Sequence, residues 1–346
     1  MSLLSLHSSQ VALGSGSALE QKQNLSHAIL FTLLALAAMA GHFILVANFD
    51  VFGFLWIIGV MMMSFFLSSE LVFALVMTSL FLQNVFVAIL SPQIKDVNHF
   101  SVMLASSFVI IALAAMAAMF IWNQLRHRLP TDSRAMLRGL IFFFIVVVIY
   151  TVIGAVFSNL VSALVYTRVY LTGGMLLALG VTLGLGAPLN YAINVIRLMA
   201  LILIVWGIAE FLLTYDLYSL FHALEYFNLK LARALNYSSF REISEMIDFR
   251  NSSFLNLSGA FGLDFFLLRP NGPNLHPISY AYARAFCSLV CFICRSHFLM
   301  AGCLILALLV GAKGPLVMLS RALVLYVFHT NFRKQPRVVL IALVCS

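Results

Sequence analysis

Ten long apolar runs divide this chain, most of them separated by only a few residues, at about 26–47, 51–68, 71–90, 102–122, 140–158, 164–184, 191–213, 277–294, 298–312 and 315–329. An eleventh begins near Val338 and stops at Ser346. A bilayer core about 30 Å thick takes about 20 apolar residues of helix, and most of the runs approach that length. Only 9% of the 346 residues are charged while 63% are hydrophobic. A soluble domain is about a quarter charged, so this chain lacks the charge to solvate a globule. Soluble enzymes, nucleic-acid binders and disordered chains are excluded on that ground. The expected fold class is an all-α polytopic membrane protein of about 10 to 11 transmembrane helices.

The few charges set the orientation. Residues 123–139 carry Arg126, Arg128, Arg134 and Arg138 against one Asp, and residues 330–337 carry Arg333, Lys334 and Arg337 with no acid. Short basic loops stay on the cytoplasmic side. Six runs separate the two loops, an even number, so both fall on one side as required. Arg295-Ser296-His297 falls inside as well, and so does the N-terminus. The first 25 residues are polar and Ser-rich with no long apolar core, so no cleavable leader is expected. The expected organisation is a polar cytoplasmic segment (1–25), a seven-span bundle (26–213), a large external loop (214–276) and C-terminal spans (277–346). Ending inside an incomplete run, the last span is expected to be truncated.

Segment 214–276 holds six acidic and five basic residues and is the one long polar stretch. Leu217, Leu220, Phe221, Leu224, Leu231 and Leu235 recur at helical spacing, which predicts an amphipathic helix on the membrane surface. Ser239 to Glu242 has the spacing of a capping box and predicts a second short helix. Residues 269–277 (RPNGPNLHP) form a rigid, proline-rich turn leading into the next span.

Charges within spans cost a few kcal/mol or more at the bilayer centre and mark candidate sites. Arg168, Glu210, Arg284, Lys313 and Arg321 all fall in the outer half by this topology, and Arg197 lies nearer the cytoplasm. Each alone reads equally well as a snorkelling or structurally paired side chain. Their convergence beside the loop that carries Arg269 favours an outward-facing cationic site, suited to a lipid-borne phosphate or pyrophosphate. His276, between Arg269 and the span, is the candidate general base. Cys287, Cys291, Cys294 and His297 resemble a metal set, but on one straight helix they extend over about 15 Å, too far for four ligands near 2.3 Å from one ion. A packing stripe is the better reading. No phosphate-binding Gly-Lys loop and no acidic pair for a metal-held nucleotide occur. Neither a metal nor a cofactor is expected, and no nucleic-acid partner.

Arg269-Pro-Asn-Gly272, His276-Pro277 and Gly311-Ala-Lys313-Gly314, followed by Arg333-Lys334, form a pattern. The pattern resembles the bacterial O-antigen ligase and polysaccharide polymerase family. An alternative register puts the family's Ser-Arg at Ser320-Arg321. The motifs cover about fifty residues. The resemblance implies a metal-independent inner-membrane glycosyltransferase whose large loop is periplasmic. Its donor would be an undecaprenyl-pyrophosphate-linked oligosaccharide and its acceptor a glycan or lipid A-core. Chain-length regulator and flippase proteins are the implied partners beyond the bilayer. Arg269, Lys313, Arg168, Arg284 and Arg321 would bind pyrophosphate, and His276 would deprotonate the acceptor hydroxyl. Family members have about a dozen spans, so the resemblance also implies a C-terminus one or two spans short. The competing expectation is a transporter or flippase for an anionic lipid-linked saccharide.

Overall fold

The computed structural model describes residues 18–49, 51–94, 96–125, 131–157, 163, 167, 170–180, 188–236 and 270–332. Every regular element among them is helical. In chain order these are α1 (Ala18–Phe49), α2 (Val51–Leu67), α3 (Ser69–Leu90), α4 (Val97–Leu125) and α5 (Thr131–Phe157). Then come α6 (Tyr170–Gly180), α7 (Leu189–Leu212), α8 (Thr214–Leu220), α9 (Ala223–Asn236), α10 (Pro277–Ile293), α11 (His297–Val310) and α12 (Lys313–Phe332). Among the described residues five stretches are long and apolar enough to cross a membrane: Gln23–Phe49, Ser69–Gln93, Val97–Met119, Arg138–Phe157 and Leu189–Leu212. Val51–Ser64, Tyr170–Gly180, Pro277–Ile293 and His297–Val310 are apolar but shorter. At 1.5 Å per residue, a helix of 17 residues such as α10 rises roughly 26 Å, a little under the hydrocarbon thickness.

The chain divides into two compact units, Met1–Val195 and Ile196–Ser346. In the first, α1 packs on α2 and α3, and α3 on α4. Gly53 lets α2 close on α1, because a Cβ there would strike the backbone of Val46. His42 Nδ1 lies 2.9 Å from the Gly53 carbonyl oxygen, and Trp56 Nε1 donates to the Ala38 carbonyl at 3.1 Å. Phe43 and Phe86 stack at 5.8 Å between α1 and α3. Ser68 caps α3 by accepting from the Glu70 amide, and Asp96 accepts from the His99 amide at the start of α4. On α5, Ile141, Phe142, Ile145, Val148, Val152 and Val156 are all exposed, which suits a hydrocarbon environment and not water.

In the second unit, α7 exposes Leu201, Val205, Ile208 and Leu212 and buries Leu203, Gly207 and Glu210 on another face. The buried face of α10 runs through Tyr280, Arg284, Cys287, Ser288 and Cys291. Cys287, Cys291 and Cys303 are fully buried free thiols, and Ser288 Oγ donates to the Met300 carbonyl at 3.3 Å across α10 and α11. The turn after α10 is tight: Arg295, at φ 56°, donates to the Phe292 carbonyl while the Ser296 amide donates to that of Cys291. Arg197 Nη2 reaches the Cys294 carbonyl at 3.2 Å, placing a cation at the negative end of α10. Gly311, at φ 68°, closes α11 in the left-handed conformation.

The amphipathic helix expected to run through 217–235 is broken. His222 adopts φ 51°, and the chain restarts as α9. Phe221 packs on Trp206 at 4.8 Å, which turns the chain at the end of α8 and seats Ala223, Tyr226 and Phe227 in the interior while Leu224 stays outside. The predicted second helix at Ser239–Glu242 and the run from Val338 lie outside the described residues.

Candidate functional site

The loop before α10 is folded inward. Pro270, Asn271, Gly272, Pro273, Asn274 and Leu275 are all buried. Gly272 takes φ 70° and Leu275 φ 47°, and the loop closes on itself through Leu275 N to the Gly272 carbonyl (2.9 Å) and His276 N to that of Asn271 (3.2 Å). A left-handed Leu costs about 1–2 kcal/mol, so the surroundings must hold it. Gly272 is obligatory on two counts: its positive φ, and Tyr280, whose ring a Cβ at that position would strike.

Glu210 is what the loop folds onto. Its carboxylate is fully buried and takes three donors: the Asn271 amide at 2.6 Å, the Gly272 amide at 2.8 Å and the Tyr218 hydroxyl at 2.5 Å. Asn271 Nδ2 donates to the Tyr218 oxygen at 2.8 Å, so that hydroxyl is fixed in direction. Two successive backbone amides aimed at one anion form a nest. Hydrogen bonds to a charged group contribute about 1.5–3 kcal/mol each, which offsets the burial of the carboxylate. Burial, and then the Glu210 charge, push the Tyr218 hydroxyl well above the ordinary tyrosine pKa of 10.0. It stays a donor at any physiological pH.

Arg284 lies on the face of α10 opposite Gly207. A Cβ at Gly207 would run into Arg284 Nη2 and the Tyr280 hydroxyl, so glycine is what admits the guanidinium between α7 and α10. Its Cζ sits 3.2 Å from the centre of the Tyr280 ring, one turn earlier on the same helix, and that ring is anchored by its hydroxyl on the Leu203 carbonyl at 2.6 Å. Arg284 is fully buried, and none of its three side-chain nitrogens has a hydrogen-bond partner among the described residues. Glu210 is close enough to act on it electrostatically, yet its lone pairs are engaged elsewhere.

His276 stands at the head of α10 as its N-cap, with Pro277 in the first turn. Its Nδ1 accepts from the Ser279 amide at 3.2 Å and lies 3.0 Å from Ser279 Oγ. A neutral imidazole that accepts at Nδ1 carries its proton on Nε2. To act as a base, His276 would have to release this cap. Lys313 is exposed in the first turn of α12 beside Gly314, whose Cβ would come 2.5 Å from the Tyr282 hydroxyl of α10. Arg321 is exposed about two turns along α12. Arg168 and Arg269 lie outside the described residues.

The structure therefore puts His276 and Arg284 on one helix and brings the Lys313–Gly314 corner against it. Of the expected cations it buries one, Arg284, and leaves Lys313 and Arg321 at the surface. Sequence reasoning missed Tyr218, Asn271 and Tyr280, and gave Glu210 no role. The Asn-Gly pair between two prolines was the available signal, since a turn so constrained needs something to dock on. Among the described residues no group of three or more His, Cys, Asp or Glu is arranged to hold a metal ion. The chain matches no family model, no curated protein and no solved structure.

Proposed function

We propose that this protein is a membrane glycosyltransferase of polysaccharide biosynthesis. It polymerises or ligates glycan from an undecaprenyl-pyrophosphate-linked donor at the periplasmic face of a bacterial inner membrane. In this reading the ten complete apolar runs are spans, the N-terminus is cytoplasmic and 214–276 is the periplasmic loop. The observation that carries it is Arg284: a fully buried guanidinium with no hydrogen-bond partner among the described residues, stacked on the Tyr280 ring against which Gly272 of the docked loop packs. The Tyr280 ring and the Glu210 charge offset part of the cost of burying this cation, but its N–H donors are left without acceptors, and an unmet buried donor costs about 1–3 kcal/mol or more. An anionic ligand supplies the missing acceptors, and phosphate oxygens fit a guanidinium two at a time.

The donor's pyrophosphate would lie against Arg284, with Lys313 and Arg269 as outer cations and Arg168 and Arg321 as further candidates. Their work is electrostatic: stabilising charge as the pyrophosphate leaves, without a metal ion. His276 is the candidate base. Taking a proton at Nδ1 would break its contacts with Ser279, which couples the acceptor's deprotonation to the start of α10. The acceptor is a second glycan or a lipid A-core.

A flippase or transporter of the same class of substrate is the second reading. The buried Glu210 beside Arg284 favours it, because intramembrane charge pairs also line transport pathways. The two separate in proteoliposomes given a short lipid-linked oligosaccharide and an acceptor. Mass spectrometry should show a new glycosidic bond, lost in Arg269→Ala and Lys313→Ala. Translocation of the lipid with no new bond would select the transporter.

A further inference from the structure

We infer that Tyr218 is a positioning residue that holds Glu210 away from Arg284, keeping the guanidinium open to an anionic ligand. This rests on the reading of Arg284 as the anion site. Glu210 and Arg284 are buried on facing surfaces of α7 and α10 and attract each other. A carboxylate and a guanidinium left to themselves in such a place form a short two-bond pair. Here no hydrogen bond joins them.

The reason is visible in the carboxylate's other partners. Oε1 takes the Tyr218 hydroxyl at 2.5 Å and the Asn271 amide at 2.6 Å, and Oε2 takes the Gly272 amide at 2.8 Å. Both oxygens are thus turned toward the loop and α8. The Tyr218 hydroxyl has one proton to give. Because its oxygen already accepts from Asn271 Nδ2 at 2.8 Å, that proton goes to Glu210. Tyr218 is also the one member of the trio that lies on a separate helix, α8, braced by an edge contact with Phe227 of α9 at 6.4 Å. Without its hydroxyl, Oε1 loses a charge-assisted bond and the carboxylate can rotate to Arg284. The internal pair would then occupy the guanidinium that the ligand needs. Glu210 is therefore a built-in competitor, and Tyr218 keeps it from competing.

The test measures binding to the full chain in detergent micelles by titration calorimetry, with inorganic pyrophosphate and farnesyl pyrophosphate as separate probes. Wild type should bind at least one, and a preference for farnesyl pyrophosphate would assign the site to a lipid headgroup. Tyr218→Phe should weaken that binding by about tenfold or more, as the internal pair takes over. Adding Glu210→Gln to Tyr218→Phe should restore it, since an amide is a poor partner for the guanidinium. Tyr218→Phe binding as tightly as wild type, or no recovery in the double variant, would overturn the positioning role. Binding that survives Arg284→Met unchanged, or wild type that binds neither probe, would instead overturn the anion site itself.

Discussion

Glu210 and Arg284 face each other as fully buried opposite charges, yet the carboxylate spends its hydrogen bonds on a loop and a tyrosine. The pair therefore balances charge without pairing, and the guanidinium keeps its donors. That relationship decides which substitutions should injure the fold and which should injure only the site.

Removing the carboxylate should injure the fold. Glu210→Ala leaves two buried amides and a hydroxyl without their acceptor and Arg284 without its counter-charge, a loss of about 3–5 kcal/mol. Glu210→Gln keeps one acceptor oxygen and should cost less, about 1–3 kcal/mol. Thermal unfolding in detergent, followed by tryptophan fluorescence, reads the order. Equal losses would mean that the charge itself contributes nothing.

The glycines make a sharper contrast. Gly207→Ala and Gly272→Ala both meet side chains of the site, and at Gly272 the positive φ adds strain. Each should lower the unfolding temperature and expose the loop, so that a cysteine placed at Asn274 reacts faster with a soluble maleimide. Gly59→Ala and Gly139→Ala have open space around the added carbon and sit within helices. They should be neutral or stabilising by up to about 1 kcal/mol. Equal destabilisation at all four positions would contradict the packing described.

How far the sequence carried can be judged on these residues. The all-helical class was legible, because period and length are local properties, and among the described residues five stretches have the length and apolarity to cross a membrane against the ten to eleven spans expected. The turn at Arg295–His297 was legible for the same reason. Arg284 was legible as a charge inside a run, and Glu210 likewise. Their relationship was not, because it depends on a loop 60 residues from Glu210 folding back over the end of α7, and no local pattern encodes that. The break at His222 was hidden by leucines that keep helical spacing through it, and Trp206, whose ring turns the chain, is distant in sequence. The N-cap role of His276 was masked by residue type, since histidine is an unusual cap.

Alkaline titration isolates Tyr218. Its folded pKa is raised above the ordinary value of 10.0 by burial and then by the Glu210 charge. An acid whose folded pKa is raised binds its proton more tightly when folded. It contributes stability that is fully present below about pH 10 and is lost as pH climbs through the folded value. Unfolding temperature should therefore fall more steeply above pH 10 in wild type than in Tyr218→Phe. Parallel curves would show that the hydroxyl is in ordinary surroundings.

Orientation is open to direct labelling. Tyr215 is 91% exposed at the start of the segment assigned to the periplasm, and Ser133 lies in the basic segment assigned to the cytoplasm. In intact cells a membrane-impermeant maleimide should label Tyr215→Cys and not Ser133→Cys. The reverse pattern would invert the topology and move the candidate site to the other face.

The central claim is that Arg284 receives the substrate's pyrophosphate. It is tested most directly by the rate of glycan transfer from a lipid-linked donor, comparing wild type with Arg284→Met at saturating acceptor in proteoliposomes. Loss of one buried donor to developing charge predicts a fall of about 10²–10³-fold in kcat, read at a temperature where the variant, whose buried Glu210 has lost its counter-charge, is still folded. Transfer by Arg284→Met at the wild-type rate would contradict the account.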